Sequence, residues 1–326
     1  MIWIETGSTD VYYNFGLEYY FTVEKRMPEP VFLFWQTTPT LMIGKYQNTR
    51  EEIDLDYAKD HEIHVVRRLS GGGTIYTDEG GWQYSFITQG GEGEIDFQKY
   101  LEPVLKALRD LGVPADFNGR NDLTAGGRKF SGTAQYKLDG ATVHHGSLLF
   151  DTDVEAMVKA TTVDEYKLVS KGIRSIRSRV CNLSEFLPDG MTPDEFKQLM
   201  VSAILGKHGS VYTVTEADDR RIRELADEKF RSWDAVYGHD PKFQLVQKKR
   251  FPGGQLRAAL NVKKGKIDQI QFTGDFFSAA DIQTLESRLQ GVPMRREDLL
   301  PVVKEQLQNG GIMGITPEQI VGTIVD

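Results

Sequence analysis

The chain has 326 residues, of which 40% are hydrophobic and 26% are charged, and its formal net charge is −8. Its length predicts one large and one small domain, and the negative charge argues against a broad nucleic-acid surface, because phosphate backbones attract positive fields. The single cysteine excludes an internal disulfide. Together with the lack of a signal-peptide pattern or a bilayer-spanning apolar run, it predicts a soluble, cytoplasmic protein without a membrane partner.

The first 150 residues predict a mixed β-sheet with a few helices. Short β-rich runs bounded by turn residues predict strands at Val31–Gln36, Thr40–Ile43, Ile63–Arg67, Thr74–Tyr76 and Trp82–Thr88. Apolar residues recur at helical spacing from Phe97 to Leu111 and predict a helix. Asp139-Gly140 lies between two more β-rich runs, Arg128–Leu138 and Ala141–Phe150, and is a strong hairpin signal.

The rest of the sequence predicts helices followed by a second domain. Thr192-Pro193-Asp194-Glu195 supplies an N-cap, a proline at the first helical position and a capping-box glutamate, and another helix is expected after Thr215. Turn formers from Tyr237 to Pro241 mark a boundary, so we expect domains at residues 1–240 and 241–326. In the second domain we expect a hairpin formed by residues 257–262 and 269–273 and then two helices.

Residues 67–76, Arg-Arg-Leu-Ser-Gly-Gly-Gly-Thr-Ile-Tyr, are the most informative stretch. Three consecutive glycines between two strands lose much conformational entropy on folding, and a tight hairpin needs only one or two. The alternative is a backbone that approaches a ligand closely and offers N–H groups to an anion, beside arginines suited to phosphate or carboxylate. Because no helix pattern follows the glycines, the stretch is neither a Walker motif nor a dinucleotide fingerprint.

A lysine near the second glycine-rich stretch is a candidate for charge stabilisation. Strict alternation along a strand from Arg128 places Lys129 on the face of Ser131 and Thr133. A strand lysine usually only reaches solvent, but this one stands between glycines and near Asn121-Asp122. An ammonium about 4 Å from a phosphoryl or carboxylate oxygen gains roughly 4 kcal/mol at an effective dielectric near 20. That is enough to stabilise negative charge that develops on either group during a reaction.

Two further segments carry possible ligand-binding residues. Adjacent histidines, His144 and His145, point to opposite faces of a strand and therefore make a poor zinc site, but one of them can line a pocket beside Lys129. The basic run from Lys171 to Arg179 contains a glycine hinge. It either forms a solvated face or closes over a polyanionic ligand.

Taken in order, these motifs resemble those of bacterial lipoate–protein ligases. The matching motifs are Arg68-x-Ser-Gly-Gly-Gly, Gly119-Arg-Asn-Asp, Arg128-Lys-x-Ser-Gly, His144-His-Gly and Lys171-Gly-Ile…Arg177-Ser-Arg-Val. The resemblance covers essentially the whole chain. It implies an α+β fold related to biotin ligases and class II aminoacyl-tRNA synthetases, in which helices flank a mixed sheet and a small α+β domain follows.

The resemblance also implies an activity. A ligase of this family activates lipoate with ATP and Mg²⁺ to lipoyl-AMP, releases pyrophosphate, and then transfers the lipoyl group to a lysine of an acceptor protein. The expected acceptors are the lipoyl domains of 2-oxoacid dehydrogenase complexes and the glycine-cleavage H protein. The dithiolane end of lipoate is expected in an apolar pocket. We expect a monomer, and the sequence leaves open whether lipoate, octanoate or lipoyl amide is preferred.

The same resemblance implies roles for single residues. Lys129 is the expected catalytic residue and is expected to contact both ATP and lipoate. Further ATP contacts are expected from Arg68, Gly73, Thr74, Ile75, Tyr76, Asn121 and Asp122, with Asp122 also as a metal ligand. Further lipoate contacts are expected from Ser70, Gly71, Gly72 and His145. The expected adenylate-binding loop contains Lys171, Gly172, Arg177 and Arg179. Thr77 and Gly81 depart from the His and Asn that many members carry after the glycine loop.

Other classes of protein remain open. An octanoyl or lipoyl transferase of the same fold uses a cysteine thioester, for which only Cys181 is available. A non-catalytic lipoate-binding relative is another alternative, but pure binding needs no adenylation lysine. A biotin ligase is disfavoured, because its Gly-Arg-Gly-Arg and Lys-Trp-Pro-Asn-Asp patterns are missing from the sequence.

Overall fold

The computed structural model describes residues 1–90, 95–119, 121–161, 178–237 and 245–325. Within these ranges the strands are β1 (Ile2–Ile4), β2 (Val31–Trp35), β3 (Thr40–Ile43), β4 (His64–Arg67), β5 (Ile75–Thr77), β6 (Gly81–Gln89), β7 (Ala115–Phe117), β8 (Asp122–Ala125), β9 (Arg128–Leu138), β10 (Ala141–Leu149), β11 (Ser210–Tyr212), β12 (Leu245–Phe251), β13 (Gly254–Lys263) and β14 (Lys266–Gly274). The α-helices are α1 (Val11–Tyr19), α2 (Thr49–Glu52), α3 (Leu55–Asp60), α4 (Gln98–Asp110), α5 (Val154–Thr161), α6 (Pro193–Leu205), α7 (Glu216–Ala226), α8 (Trp233–Tyr237), α9 (Ile282–Leu289), α10 (Arg296–Gln306) and α11 (Pro317–Val325). None of the helices in these ranges is long and apolar enough to cross a bilayer.

A mixed eight-stranded sheet forms the centre of the first domain, in the order β11-β1-β2-β6-β10-β9-β8-β7. Strand β1 is parallel to β2 and β11, whereas β2, β6, β10, β9, β8 and β7 pair antiparallel. A smaller sheet, β4-β3-β5, carries the start of the glycine-rich stretch. The predicted α+β fold, with a mixed sheet and flanking helices, is confirmed.

Helices cover both faces of the large sheet. Every residue of β2 is buried, so its side chains serve two cores in alternation. Phe32 and Phe34 pack with residues of α4 and α6 on one face. Leu33 and Trp35 pack with residues of α1 on the other face. This second face, beneath α1, holds the candidate site.

Local sequence signals are confirmed where they are strong. Strands β9 and β10 form the predicted hairpin, and Asp139 and Gly140 adopt φ angles of 50° and 78°, as a two-residue turn requires. At the start of α6, the hydroxyl of Thr192 accepts a hydrogen bond from the Glu195 amide, and the Glu195 carboxylate accepts one from the Thr192 amide. The predicted capping box is therefore present.

The described part of the second domain is a three-stranded sheet, β12-β13-β14, packed against α9, α10 and α11. The predicted hairpin β13–β14 and the helices α9 and α10 are confirmed, whereas β12 and α11 were not predicted. The expected boundary at residues 240 and 241 lies outside the described residues and stays a prediction.

Candidate active site

A β-bulge in β9 determines where Lys129 points. Leu123 pairs with Ser131, but the next residue of β8, Thr124, pairs with Lys129, so Phe130 is an extra residue in β9. The prediction that Lys129 shares a face with Ser131 and Thr133 is therefore wrong. The bulge turns Lys129 onto the opposite face, where its Nζ lies 3.3 Å from the position that a Cβ on Gly132 would take.

Lys129 lies between two neighbouring cavities. The first cavity, of about 120 Å³, has a mainly apolar wall that includes Phe15, Trp35, Met42, Ala134 and Phe277. The second cavity, of about 580 Å³, is larger and has the side chains of Asp122 and Arg179 in its lining. Five residues line both cavities: Thr74, Ile75, Lys129, Gly132 and Ser147. The side chain of Lys129 therefore lies where a small and a large cavity meet.

The glycine loop, residues 70–73, reaches the first cavity through Gly72 and Gly73. Part of the loop packs closely against another segment of the protein's own backbone. A Cβ on Gly71 would lie 2.2 Å from the carbonyl oxygen of Phe276, and the amide of Gly72 donates to that same oxygen at 3.1 Å. The amide of Gly72 is therefore already hydrogen-bonded within the protein. The predicted ligand contacts of Gly71, Gly72 and Gly73 stay predictions. A segment of the second domain covers this part of the loop.

The guanidinium of Arg68 donates hydrogen bonds to the backbone of the glycine loop. Its Nη2 donates to the carbonyl oxygens of Gly71 and Gly73, at 2.9 and 2.7 Å, and its Nη1 donates to that of Met42. Burial, with the neighbouring charge of Arg67, lowers the pKa of Arg68 to about 10, so the guanidinium stays charged near neutral pH. Arg68 also lines the first cavity. Its predicted ATP contact stays a prediction.

A buried polar chain links helix α1 to the glycine loop. His145 lines the first cavity, and its Nδ1 lies 3.1 Å from Oε2 of Glu18. Its Nε2 lies 2.6 Å from the hydroxyl of Ser70, which also accepts from Nε of Arg68. Ser70 is fully buried, so its hydroxyl serves this chain. The predicted lipoate contacts of Ser70 and His145 stay predictions.

Glu18 is almost completely buried, yet its pKa is lowered. Burial raises the pKa, but the charge of His145 and hydrogen bonds from His145, Ser85 and Tyr136 outweigh that effect. The carboxylate therefore remains ionised inside the core. The sequence patterns did not predict a role for this residue. The available signal was its position on the apolar stripe formed by Val11 and Phe15 of α1.

Asn121 and Asp122 are adjacent but line different cavities. Asn121 lines the first cavity, and its amide nitrogen donates to the carbonyl oxygen of Thr133. Asp122 lines the second, and its carboxylate lies 2.7 Å from Nζ of Lys129. The carboxylate of Asp122 and the ammonium of Lys129 are both partly exposed. An ion pair of this kind is weak, so either group can exchange its partner for a ligand.

The end of the basic run is attached to the backbone of Lys129. The amide of Lys129 donates to the carbonyl oxygen of Arg179 at 2.8 Å, and the amide of Cys181 donates to that of Lys129 at 2.9 Å. Arg179 also lines the second cavity, and its predicted place in an adenylate-binding loop stays a prediction. The predicted loop residues Lys171, Gly172 and Arg177 lie outside the described residues.

The departures Thr77 and Gly81 contact each other. A Cβ on Gly81 would lie 2.7 Å from Oγ1 of Thr77, so a larger residue at position 81 needs space that Thr77 occupies. That hydroxyl also accepts a hydrogen bond from Nε2 of Gln83, which lines the first cavity. Thr77 and Gly81 therefore influence the position of Gln83, which is a residue of the cavity wall.

Two family models match the chain. The model described as lipoyl protein ligase A/B catalytic domain matches residues 10–205, and the model described as bacterial lipoate protein ligase C-terminus matches residues 240–324. Among curated proteins, the chain is 42% identical over 296 residues to lipoate-protein ligase LplJ of Bacillus subtilis, with 89% of each chain covered. It is 39% identical over 287 residues to lipoate–protein ligase 1 of Staphylococcus aureus, with 87% of each covered.

Three solved structures of similar fold are described by their likeness to this chain. LipL1 of P. falciparum in complex with lipoate has a TM-score of 0.79 and 23% identity, covering 93% of this chain and 94% of that one, and it supports the fold alone. A bipartite lipoate protein ligase of Thermoplasma acidophilum, solved with its E2 lipoyl domain, has a TM-score of 0.63 and 26% identity. The match covers 75% of this chain and 98% of that one. Lipoate-protein ligase A bound with ATP has a TM-score of 0.58 and 26% identity. The match covers 73% of this chain and 97% of that one.

Substitution of Gly71 tests the contact between the loop and Phe276. We expect Gly71→Ala to lower the free energy of unfolding by about 1–3 kcal/mol, because the added Cβ overlaps a backbone oxygen. Gly73→Ala is the matched control, since a Cβ there meets only Asp275, at 3.9 Å, and we expect a change within about 1 kcal/mol. Urea denaturation measures both. Equal effects of the two substitutions would contradict the proposed contact.

Substitution of Glu18 tests the buried chain. We expect Glu18→Gln to lower the free energy of unfolding near pH 7 by about 1.5–3 kcal/mol, because the buried donors of Ser85 and Tyr136 lose a charged acceptor. The folded-state pKa of Glu18 lies below its ordinary value of 4.5. The stabilisation is therefore present above that pH and is lost as the pH falls through the folded-state pKa.

The measurement is urea denaturation at a series of pH values, where the gap between wild type and Glu18→Gln should narrow below about pH 4.5. Glu24→Gln is the control, because Glu24 pairs with Arg221 at the surface and should contribute only about 0–1 kcal/mol. A gap that stays constant with pH would show that Glu18 is not ionised in the folded protein.

Proposed function

The chain belongs to the lipoate–protein ligase family, and we propose that, as such a ligase, it joins lipoate to acceptor proteins in two steps that consume ATP. The position of Lys129 carries this proposal, because its side chain lines both a small cavity walled by Phe15, Trp35 and Phe277 and a larger one that contains Asp122 and Arg179. An acyl chain suits the first cavity, and a nucleotide suits the second. The ATP-bound lipoate-protein ligase A supports the nucleotide assignment.

In the first step, a carboxylate oxygen of lipoate attacks the α-phosphorus of ATP. A bond forms between that oxygen and phosphorus, the bond to the β-phosphate oxygen breaks, and pyrophosphate leaves with the electron pair. Lys129 neutralises negative charge on the carboxylate and on the α-phosphoryl oxygens, so its ammonium exchanges Asp122 for the substrates. Positioning and electrostatics carry the step, and no covalent enzyme intermediate is required.

In the second step, the neutral amine of an acceptor lysine attacks the acyl carbon of lipoyl-AMP. The amide bond forms, the bond from carbon to the phosphate oxygen breaks, and AMP leaves while the nitrogen loses a proton. Lipoyl domains are the acceptors that we propose. The archaeal ligase solved with its E2 lipoyl domain supports this class of partner.

We propose Mg²⁺ as the metal that accompanies the nucleotide. The carboxylate of Asp122 in the second cavity is a ligand of the type that Mg²⁺ prefers, and the ion neutralises phosphate charge when bound. Within the described ranges, no group of three or more His, Cys, Asp or Glu side chains converges on a metal position. This suits an ion held largely by phosphates and water.

Lipoate-dependent exchange of pyrophosphate into ATP tests the first step. We expect Lys129→Ala to lose this exchange by at least about 100-fold, because the developing charge loses its ammonium. Lys137→Ala is the matched control, since Lys137 lies on the same strand and lines neither cavity. Circular dichroism checks that both variants fold. Wild-type exchange in Lys129→Ala would remove this residue from the mechanism, and no exchange in the wild type would favour a binding protein.

The transferase alternative depends on Cys181. Its thiol is buried, its Sγ lies 3.5 Å from the carbonyl oxygen of Arg128, and burial raises its pKa. These are properties of a structural thiol, because a nucleophile needs an accessible thiolate. We therefore expect Cys181→Ser to keep ATP-dependent lipoylation within about twofold of wild type, an effect on the order of 0.4 kcal/mol. Mass spectrometry of an unlipoylated lipoyl domain measures it, and complete loss would favour a thioester mechanism.

A further inference from the structure

A third cavity, of about 250 Å³, lies where the two domains meet. The first domain contributes Lys45, Tyr46 and Arg68 to its lining, and the second domain contributes Phe272 of β14 and Glu286 of α9. A cavity needs only roughly 10–15 Å³ to hold one water molecule. The third cavity therefore has room for a hydrated ion.

Most of the charged residues around the third cavity are basic. Lys45, Arg67, Arg68 and Lys229 line it, and Glu286 is the one acidic residue in its described lining. The pKa of Arg68 is lowered by burial and by the charge of Arg67, and no carboxylate in the described ranges offsets that effect. The excess of positive charge favours an anionic ligand.

The ammonium of Lys45 has no hydrogen-bond or ion-pair partner among the described residues, although the side chain is half-buried. Its Nζ lies 5.4 Å from the ring centre of Tyr46. Burial lowers the pKa of Lys45, and the charges that oppose this effect are those of Asp281 and Glu286 in the second domain. A charge that is removed from water without a partner is unfavourable, and an anion in the cavity would supply the partner.

The carboxyl group of Glu286 makes the charge of the third cavity depend on pH. Burial raises its pKa to about 7, against the hydrogen bond that it accepts from the Phe272 amide at 2.6 Å. Below that pH the neutral carboxyl group can donate a hydrogen bond to an anion, and above it the carboxylate repels one. The other charged or titratable groups that line the cavity or act on Glu286 are Lys45, Tyr46, Arg67, Arg68, Lys229 and Asp281.

We propose that the third cavity binds a small oxyanion of the phosphate or sulfate class between the ammonium of Lys45 and the protonated carboxyl group of Glu286. Hydrogen bonds from a charged donor to such an anion are short and strong. The site is one hydrogen bond away from the glycine loop, because the amide of Lys45 donates to the carbonyl oxygen of Ser70 at 2.8 Å. The carbonyl oxygen of Tyr46 accepts from the amide of Gly274 at 2.7 Å, so the same turn also contacts the second domain.

Calorimetric titration of the full chain with sulfate tests the site without ATP, lipoate or an acceptor protein. Sulfate keeps its charge between pH 6 and pH 8, and replacing chloride at constant ionic strength keeps the screening constant. We expect saturable binding at pH 6 that weakens by up to about tenfold at pH 8, because Glu286 loses its proton over this range.

Glu286→Gln should remove this dependence on pH. The glutamine amide is a neutral donor at both pH values, and its oxygen can still accept the hydrogen bond from the Phe272 amide. We expect this variant to bind sulfate at pH 8 within about twofold of the wild type at pH 6. A Glu286→Gln variant that keeps the wild-type dependence on pH would contradict the proposed site.

Lys45→Met should weaken sulfate binding at pH 6 by at least about tenfold, because the ion loses its charged donor. Lys99→Met is the matched control and should leave binding unchanged. The ammonium of Lys99 lies 5.5 Å from the ring centre of the adjacent Tyr100, much as that of Lys45 lies over Tyr46, but Lys99 lines none of the three cavities. Thermal unfolding checks that both variants fold.

Lys129→Ala separates this site from the second cavity, which can also attract sulfate. We expect the pH-dependent binding to persist in Lys129→Ala. Three outcomes would overturn the proposal: a wild type without saturable sulfate binding at pH 6, binding that Lys45→Met leaves intact, or binding that Lys129→Ala abolishes. The comparison of the wild type with Glu286→Gln stands even if Lys45→Met fails to fold.

Discussion

The buried carboxylate of Glu18 is the constraint on which the geometry of the site depends. An ionised group in the core is tolerated only where it is paired and hydrogen-bonded, and Glu18 has partners on three strands of the large sheet: Ser85, Tyr136 and His145. His145 in turn contacts Ser70, which Arg68 also holds. The position of the glycine loop is thus connected through hydrogen bonds to helix α1, on the other side of the first cavity.

Local sequence signals predicted much of the fold but not the direction of its key side chain. The turn at Asp139-Gly140 and the cap at Thr192 depend on a few neighbouring residues, so their patterns sufficed. The face of Lys129 depends on the bulge at Phe130, which exists only because β9 pairs with β8 in a shifted register. Alternation along a single strand carries no information about such pairing.

The sequence motifs predicted several residues of the candidate site, but not the segments that pack around them. The motifs predicted that Arg68, Lys129 and His145 lie near one another, and each lines the first cavity. The glycine loop was expected to approach a ligand, yet Gly71 and Gly72 meet the backbone of Phe276, some 200 residues later in the chain. Glu18 and Gln83 were overlooked, since single polar residues within apolar segments acquire meaning only from the strands beside them.

The aromatic residue after Phe276 makes the first cavity a shared product of both domains. Phe277 lines that cavity and packs edge-on against Phe97 of the first domain. Combining the first domain of one relative with the second domain of another would therefore replace part of the wall of the first cavity. A chimera that keeps the shape of this cavity has to inherit residues 71, 97, 276 and 277 as a compatible set.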